Sequence, residues 1–334
     1  MKNRKLNIFD AGIAFVIAFI LAQFTSAIGV TITQVIMEIC GKSATQISTF
    51  WDTAFGYLLQ AIYMNVAFVL VFIYYYKKRD HQSILQQPTQ HTKKYVGICI
   101  LIGIATMFLL SGVLNYFQLL VDKLGFTSTS LSYELNSPKN YLISLVSLAL
   151  IPAICEELIF RGVITSALKQ KGQIFAIVLS SIMFAMFHFS PSQLIYPICF
   201  GLILAIVYLR TNNIIFPILL HFINNALSLS IQYFSSDTTS VFTHSISNLI
   251  YAIITFAIWI WIICYLFNDF KKHNLNNPSS NTSVTNDNQY NQSSDILTNQ
   301  TSDSTTQYNV KTNNMVLYGS IAIMGFIYIL LLFV

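Results

Sequence analysis

Three short groups of residues in this chain could do chemistry from inside apolar surroundings. The first lies in Ile151-Pro-Ala-Ile-Cys-Glu156-Glu157-Leu-Ile-Phe-Arg161, the second is Phe184-Ala-Met-Phe-His188, and the third is His221-Phe-Ile-Asn-Asn225. On a helix, Glu157 and Arg161 are four apart with the acid first, so they share a face and can pair. Glu156 sits about 100° round from its neighbour, free to face a cavity while the arginine holds Glu157. His221 and Asn225 also share a face, where a ring nitrogen and a carboxamide can converge on one oxygen. Phe184 stands one turn before His188 and can buttress its ring. A carboxylate with an imidazole suits proton transfer from water, and paired donors suit a developing negative charge.

The elements that carry these groups must be membrane helices. Of 334 residues, 54% are hydrophobic and 9% charged, with a mean hydropathy of +0.61, far too apolar for a soluble globule. Nine apolar runs are each long enough to cross roughly 30 Å of hydrocarbon. They cover approximately Ile8–Val35, Ala54–Tyr76, Tyr95–Val121, Tyr141–Leu168, Ile174–Phe189, Leu194–Leu209, Ile214–Phe234, Ile246–Phe267 and Met315–Val334. None alternates with the period of two that a barrel strand requires, and an open sheet would leave backbone donors unpaired in lipid. The expectation is an all-α polytopic bundle with an eight-helix core.

The domain reading follows. Residues 1–140 hold three spans, 141–267 a core bearing the three groups, 268–314 an Asn/Ser/Thr-rich linker that should be disordered, and 315–334 a final transmembrane helix. The first run is longer than a leader's apolar stretch and eight more follow, so it reads as a span and not a cleaved signal.

Basic residues assign the sides. With the N-terminus in the cytoplasm, 14 of the 18 Lys and Arg fall in inner segments, three (Lys42, Lys123, Lys139) outside, and Arg161 within a span. This places the C-terminus outside, in what reads as a bacterial plasma membrane. The net charge of +5 then reflects topology, and no basic stripe points to nucleic acid. Cys40, Cys99, Cys155, Cys199 and Cys264 have no C-x-x-C spacing and read as buried small hydrophobes. His81, His91, His244 and His273 read as solvated loop residues. Trp259, Trp261 and Tyr74–Tyr76 are candidate interfacial anchors or lipid-facing filler.

Depth ties the groups together. An ionisable side chain near the bilayer centre costs at least about 2.5–3.5 kcal/mol, so each of these demands a reason. At 1.5 Å per residue, Glu156 lies roughly 20 Å from the inner end of its span, His188 roughly 21 Å, and His221 roughly 10–16 Å. One mid-membrane site on three helices is therefore expected.

Glu-Glu-x-x-x-Arg, Phe-x-x-x-His and His-x-x-x-Asn, in this order over about Tyr141–Phe234, resemble the motifs of the CPBP or Abi family, relatives of the type II CAAX prenyl endopeptidases. The resemblance implies peptide-bond hydrolysis in a cavity opening toward the cytoplasm. By the same analogy Glu156 and His188 activate water, His221 and Asn225 stabilise the oxyanion, and Glu157 with Arg161 holds the first helix. Members are often called metalloproteases, so a divalent metal such as zinc, if bound, would sit on Glu156, His188 and His221. No compact His-Glu-x-x-His helix is present, which favours a metal-free glutamate mechanism.

The expected partners are a peptide or membrane-protein substrate, the lipid bilayer and a membrane partner protein docked by the ninth helix. A competing reading is a non-catalytic scaffold or regulator of a cell-envelope enzyme or sensor kinase, with the polar groups as helix glue. A transporter broken at Pro152 and Pro197 is a third, without an inverted repeat to support it.

Overall fold

The computed structural model describes residues 5–78, 92–126, 135–188, 190–235, 246–276 and 315–322. These are helical, without a strand among them. Helix α1 (Ile8–Ile39) begins at a reciprocal cap in which Asn7 and Asp10 each accept from the other's backbone N–H. A short helix, α2 (Ala44–Trp51), follows, then α3 (Ala54–Lys78) and α4 (Thr92–Lys123). The segment Pro138–Lys171, here α5, is continuous but not uniform. After Pro138–Ser144 it passes through a π-helical stretch Leu145–Leu150, an α-helical stretch Ile151–Glu157 and a second π stretch Leu158–Thr165. Helices α6 (Gln173–Met186), α7 (Ile195–Thr211), α8 (Ile215–Phe234) and α9 (Ile246–Asn276) complete the bundle.

Among the described residues, seven helices are long and apolar enough to cross a membrane, and α6 is a shorter apolar helix. This is a polytopic helical bundle. Of the expected ninth span, residues 315–322 are helical and the rest lies outside the described residues. Large apolar side chains such as Ile28, Leu101, Phe108, Ile253 and Trp261 stay exposed on helix outer faces, as lipid-facing positions do.

Contacts between helix termini define the two ends of the bundle. At one end Tyr75 donates to Asp10 O at 3.3 Å, Gln170 donates to Leu6 O, and Arg210 pairs with Asp269 at 3.3 Å. At the other, Tyr141 and Ser230 share a hydrogen bond of 2.8 Å, and Tyr141 stacks on Tyr233 at 4.5 Å. Lys77, Lys78, Lys169, Lys171 and Arg210 belong to the first end, and Lys42, Lys123 and Lys139 to the second.

Several sequence expectations need correcting. Helix α9 runs on to Asn276, through residues assigned to the linker and through His273, which is therefore helical; the apolar pattern stops at Phe267, but Asn, Asp and Lys are compatible with a further helical turn or two. Residues 277–314, and His81, His91 and His244, lie outside the described residues. Cys155 and Cys199 are buried, whereas Cys40 and Cys264 are exposed; a thiol as apolar as Cys can equally sit on a lipid-facing surface. Helix α2 was not foreseen, although Ser43 and Gln46 form a capping box at its start.

Candidate functional site

The site is built around the short α-helical stretch Ile151–Glu157, which is held between the two π stretches of α5. Each π stretch shifts the hydrogen-bond ladder by a residue, and such shifts are frequent at functional sites. In the second stretch, side chains follow the wider register: Thr165 donates to Phe160 O at 2.7 Å and Ser166 to Arg161 O at 3.0 Å. The hydroxyls of Ser166 and Tyr208 share a further bond of 2.7 Å, which ties α5 to α7.

Glu157 and Arg161 are both fully buried, and Arg161 Nε lies 2.9 Å from Glu157 Oε2. The other oxygen, Oε1, accepts from His221 Nδ1 at 3.0 Å. Glu157 thus ties α5 to α8 while Arg161 compensates its charge. The guanidinium carbon of Arg161 stands 5.2 Å from the centre of the Phe184 ring, and its two terminal nitrogens have no hydrogen-bond partner among the described residues. Glu156, one residue earlier, is less enclosed, with 18% of its side chain exposed, and its Oε2 is 4.0 Å from His221 Nε2. The two adjacent carboxylates therefore occupy different environments, one locked and one open.

Phe184 is the hub that aligns the imidazoles. Its ring meets His188 at 5.1 Å and His221 at 5.7 Å, both nearly perpendicular, and Phe160 packs on it at 5.1 Å. His188 donates from Nδ1 to the carbonyl of Phe184 at 3.2 Å, since a carbonyl can only accept. In the neutral ring this leaves the Nε2 lone pair available.

A cavity of about 710 Å³ adjoins the cluster, with His188, Leu148, Tyr196, Asn224 and Asn225 in its wall. Asn225 donates to Leu148 O at 3.3 Å and accepts from Asn224 at 3.3 Å. Leu148 lies in the first π stretch, so this bond ties α8 to that part of α5. Tyr196 donates to Asn224.

All six residues expected at the site thus lie on or beside one region. His221 sits between the two glutamates, His188 and Asn225 face the cavity, and Glu157 with Arg161 forms the buried support. His221 and Asn225, expected to converge on one oxygen, are each engaged elsewhere: the ring with Glu157, the carboxamide amine with Leu148 O. Glu156, His188 and His221 are not gathered as a metal set, because no group of three His, Cys, Asp or Glu among the described residues is placed to hold an ion. These donors do not fit a three-ligand metal site as arranged. Sequence reasoning missed Asn224 and Tyr196; the Asn-Asn pair was visible, but nothing near Tyr196 announced its partner 28 residues away.

Residues 138–227, which contain every one of these motifs, match the family model described as Type II CAAX prenyl endopeptidase Rce1-like. Over that segment the chain is similar to the Rce1-like model. It is also 28% identical over 144 residues, 42% of its length, to the Bacillus subtilis (strain 168) protein named "Putative membrane peptidase YdiL". The chain spans 59% of the length of that relative. No solved structure matches the chain significantly. Both likenesses are to proteins described as peptidases, and the seven apolar helices mark this chain as an integral membrane protein.

Proposed function

We propose that this protein is an intramembrane endopeptidase in which Glu156 and His188 activate the attacking water. The observation that carries the reading is the unequal treatment of two adjacent carboxylates. Glu157 is spent on Arg161 and His221, whereas Glu156 remains partly open beside the same imidazole. A structural ion pair would need one acid; the second, exposed in an apolar bundle, is expensive unless it reacts.

In this mechanism the peptide enters the cavity and its scissile carbonyl comes to rest among Glu156, His188 and His221. Glu156 and the Nε2 lone pair of His188 position one water, and its proton passes to Glu156 as its oxygen attacks the carbonyl carbon. The same group then returns the proton to the leaving nitrogen as the C–N bond breaks. Negative charge on the tetrahedral oxygen is met by His221, a role that requires a proton on Nε2 while Glu157 holds Nδ1. Asn225 supplies a second donor after exchanging Leu148 O for the oxyanion. No step is routed through a metal. The excess of basic side chains at the Leu6 end supports placing that end, with the N-terminus, in the cytoplasm.

Alanine at Glu156 or at His188 is expected to abolish processing of the native substrate while membrane insertion and detergent-extracted folding persist. Unchanged processing by both variants would remove the catalytic reading.

A further inference from the structure

The cavity lies in only one half of the bundle, and that half is not the basic one. Its lining comes from the later turns of α4 (Met107 to Gln118), the later turns of α8 (Asn224 to Gln232) and the segment that opens α7 (Ser192 to Pro197). These stretches run toward the end marked by the Tyr141–Ser230 and Tyr141–Tyr233 contacts, away from Lys77, Lys78, Lys169, Lys171 and Arg210. Asn115, Gln193 and Gln232 are exposed on that side. From Asn225 to the end of α8 at Phe234 the wall rises roughly 14 Å at 1.5 Å per residue. The route from water to His188 is therefore short at the end with few basic residues.

The chemistry of the wall is equally one-sided. Among the described residues six carboxamides line it, from Asn115, Gln118, Gln193, Asn224, Asn225 and Gln232, and no Asp, Glu, Lys or Arg does. A carboxamide offers a donor and an acceptor together, the complement of a peptide group, and it does so without favouring either charge. Such a wall matches the backbone of an extended chain and penalises a charged side chain brought into it without a partner.

Resting on the hydrolase reading above, we infer that the site takes its substrate from the non-cytoplasmic face, as an extended, uncharged peptide segment of a secreted or translocated protein. This is the opposite side from the one that the family resemblance implies. The positive-inside distribution fixes which face is which, and the position of the cavity fixes which face it serves.

The test uses full-length protein with its five cysteines replaced by serine, in sealed right-side-out and inverted vesicles, probed with a charged, membrane-impermeant maleimide. Gln232→Cys is expected to label in right-side-out vesicles and Lys171→Cys only in inverted ones. Labelling of Gln232→Cys only in inverted vesicles, or in neither preparation, overturns the inferred side. A peptide mixture is then supplied to both preparations and to solubilised protein, with Glu156→Gln as the blank. Consumption confined to right-side-out vesicles and to peptides uncharged around the cleaved bond supports the substrate class; equal consumption of charged segments overturns it. If solubilised protein consumes nothing beyond the blank, the hydrolase reading fails and the substrate class with it, while the labelling still decides the side.

Discussion

Replacing Arg161 by Met isolates the electrostatic support of the site. The guanidinium and the Glu157 carboxylate are both fully buried and 2.9 Å apart, so at an effective dielectric constant of about 20 their attraction is roughly 6 kcal/mol before desolvation. Breaking one side of such a pair typically costs about 3–5 kcal/mol, because the remaining charge is left buried and alone. Here Glu157 keeps its bond from His221, which places the expectation at the low end, about 3 kcal/mol. Methionine keeps an apolar stem of similar length but removes the guanidinium that faces the Phe184 ring at 5.2 Å, so the loss reports the charge together with that ring contact. The assay is reversible unfolding in mixed micelles. The decisive companion is Glu157→Gln in the Arg161→Met background, which removes the stranded charge and should restore more than half of the loss. A single variant that loses less than about 1 kcal/mol, or a double variant less stable than the single, would refute the argument that this pair is a compensated buried charge.

Two further outcomes follow from the geometry. A Cβ built on Gly112 would come within 2.8 Å of the Ala252 backbone, whereas one on Gly97 in the same helix meets nothing within 4 Å. Gly112→Ala should therefore destabilise by about 1–3 kcal/mol through the α4–α9 contact while Gly97→Ala is neutral or slightly stabilising, as read from detergent thermal melts. Because the expected ligand trio is not gathered, treatment with a zinc chelator should leave processing unchanged, and loss of activity that zinc restores would contradict the metal-free route.

Much of the site was legible because lipid makes polar residues informative. In a bundle this apolar, Glu156, Arg161, His188 and His221 could be read as inward-facing from their cost alone, and their four-residue spacings correctly joined Glu157 to Arg161 and Phe184 to His188. What helical spacing could not show was the wiring between helices. His221 turned to Glu157, 64 residues earlier, and Asn225 to a backbone carbonyl of α5. That carbonyl belongs to a π stretch, and a reading based on 3.6 residues per turn has no means of locating such a register shift in a run of Leu, Val, Ser and Ala. The spans were visible for the same reason as the site, since apolar length is a direct signal, whereas their ends drifted wherever polar residues remained helical, as at the end of α9.

The central claim is that Glu156 drives hydrolysis of a peptide bond. Comparative peptide profiling of membranes carrying the native protein or Glu156→Gln addresses it most directly, because glutamine preserves shape and removes only the carboxylate. Peptides with a common cleaved position should be present with the native protein and missing from the variant at equal protein levels. Indistinguishable peptide populations would contradict the account and leave the polar cluster as helix glue.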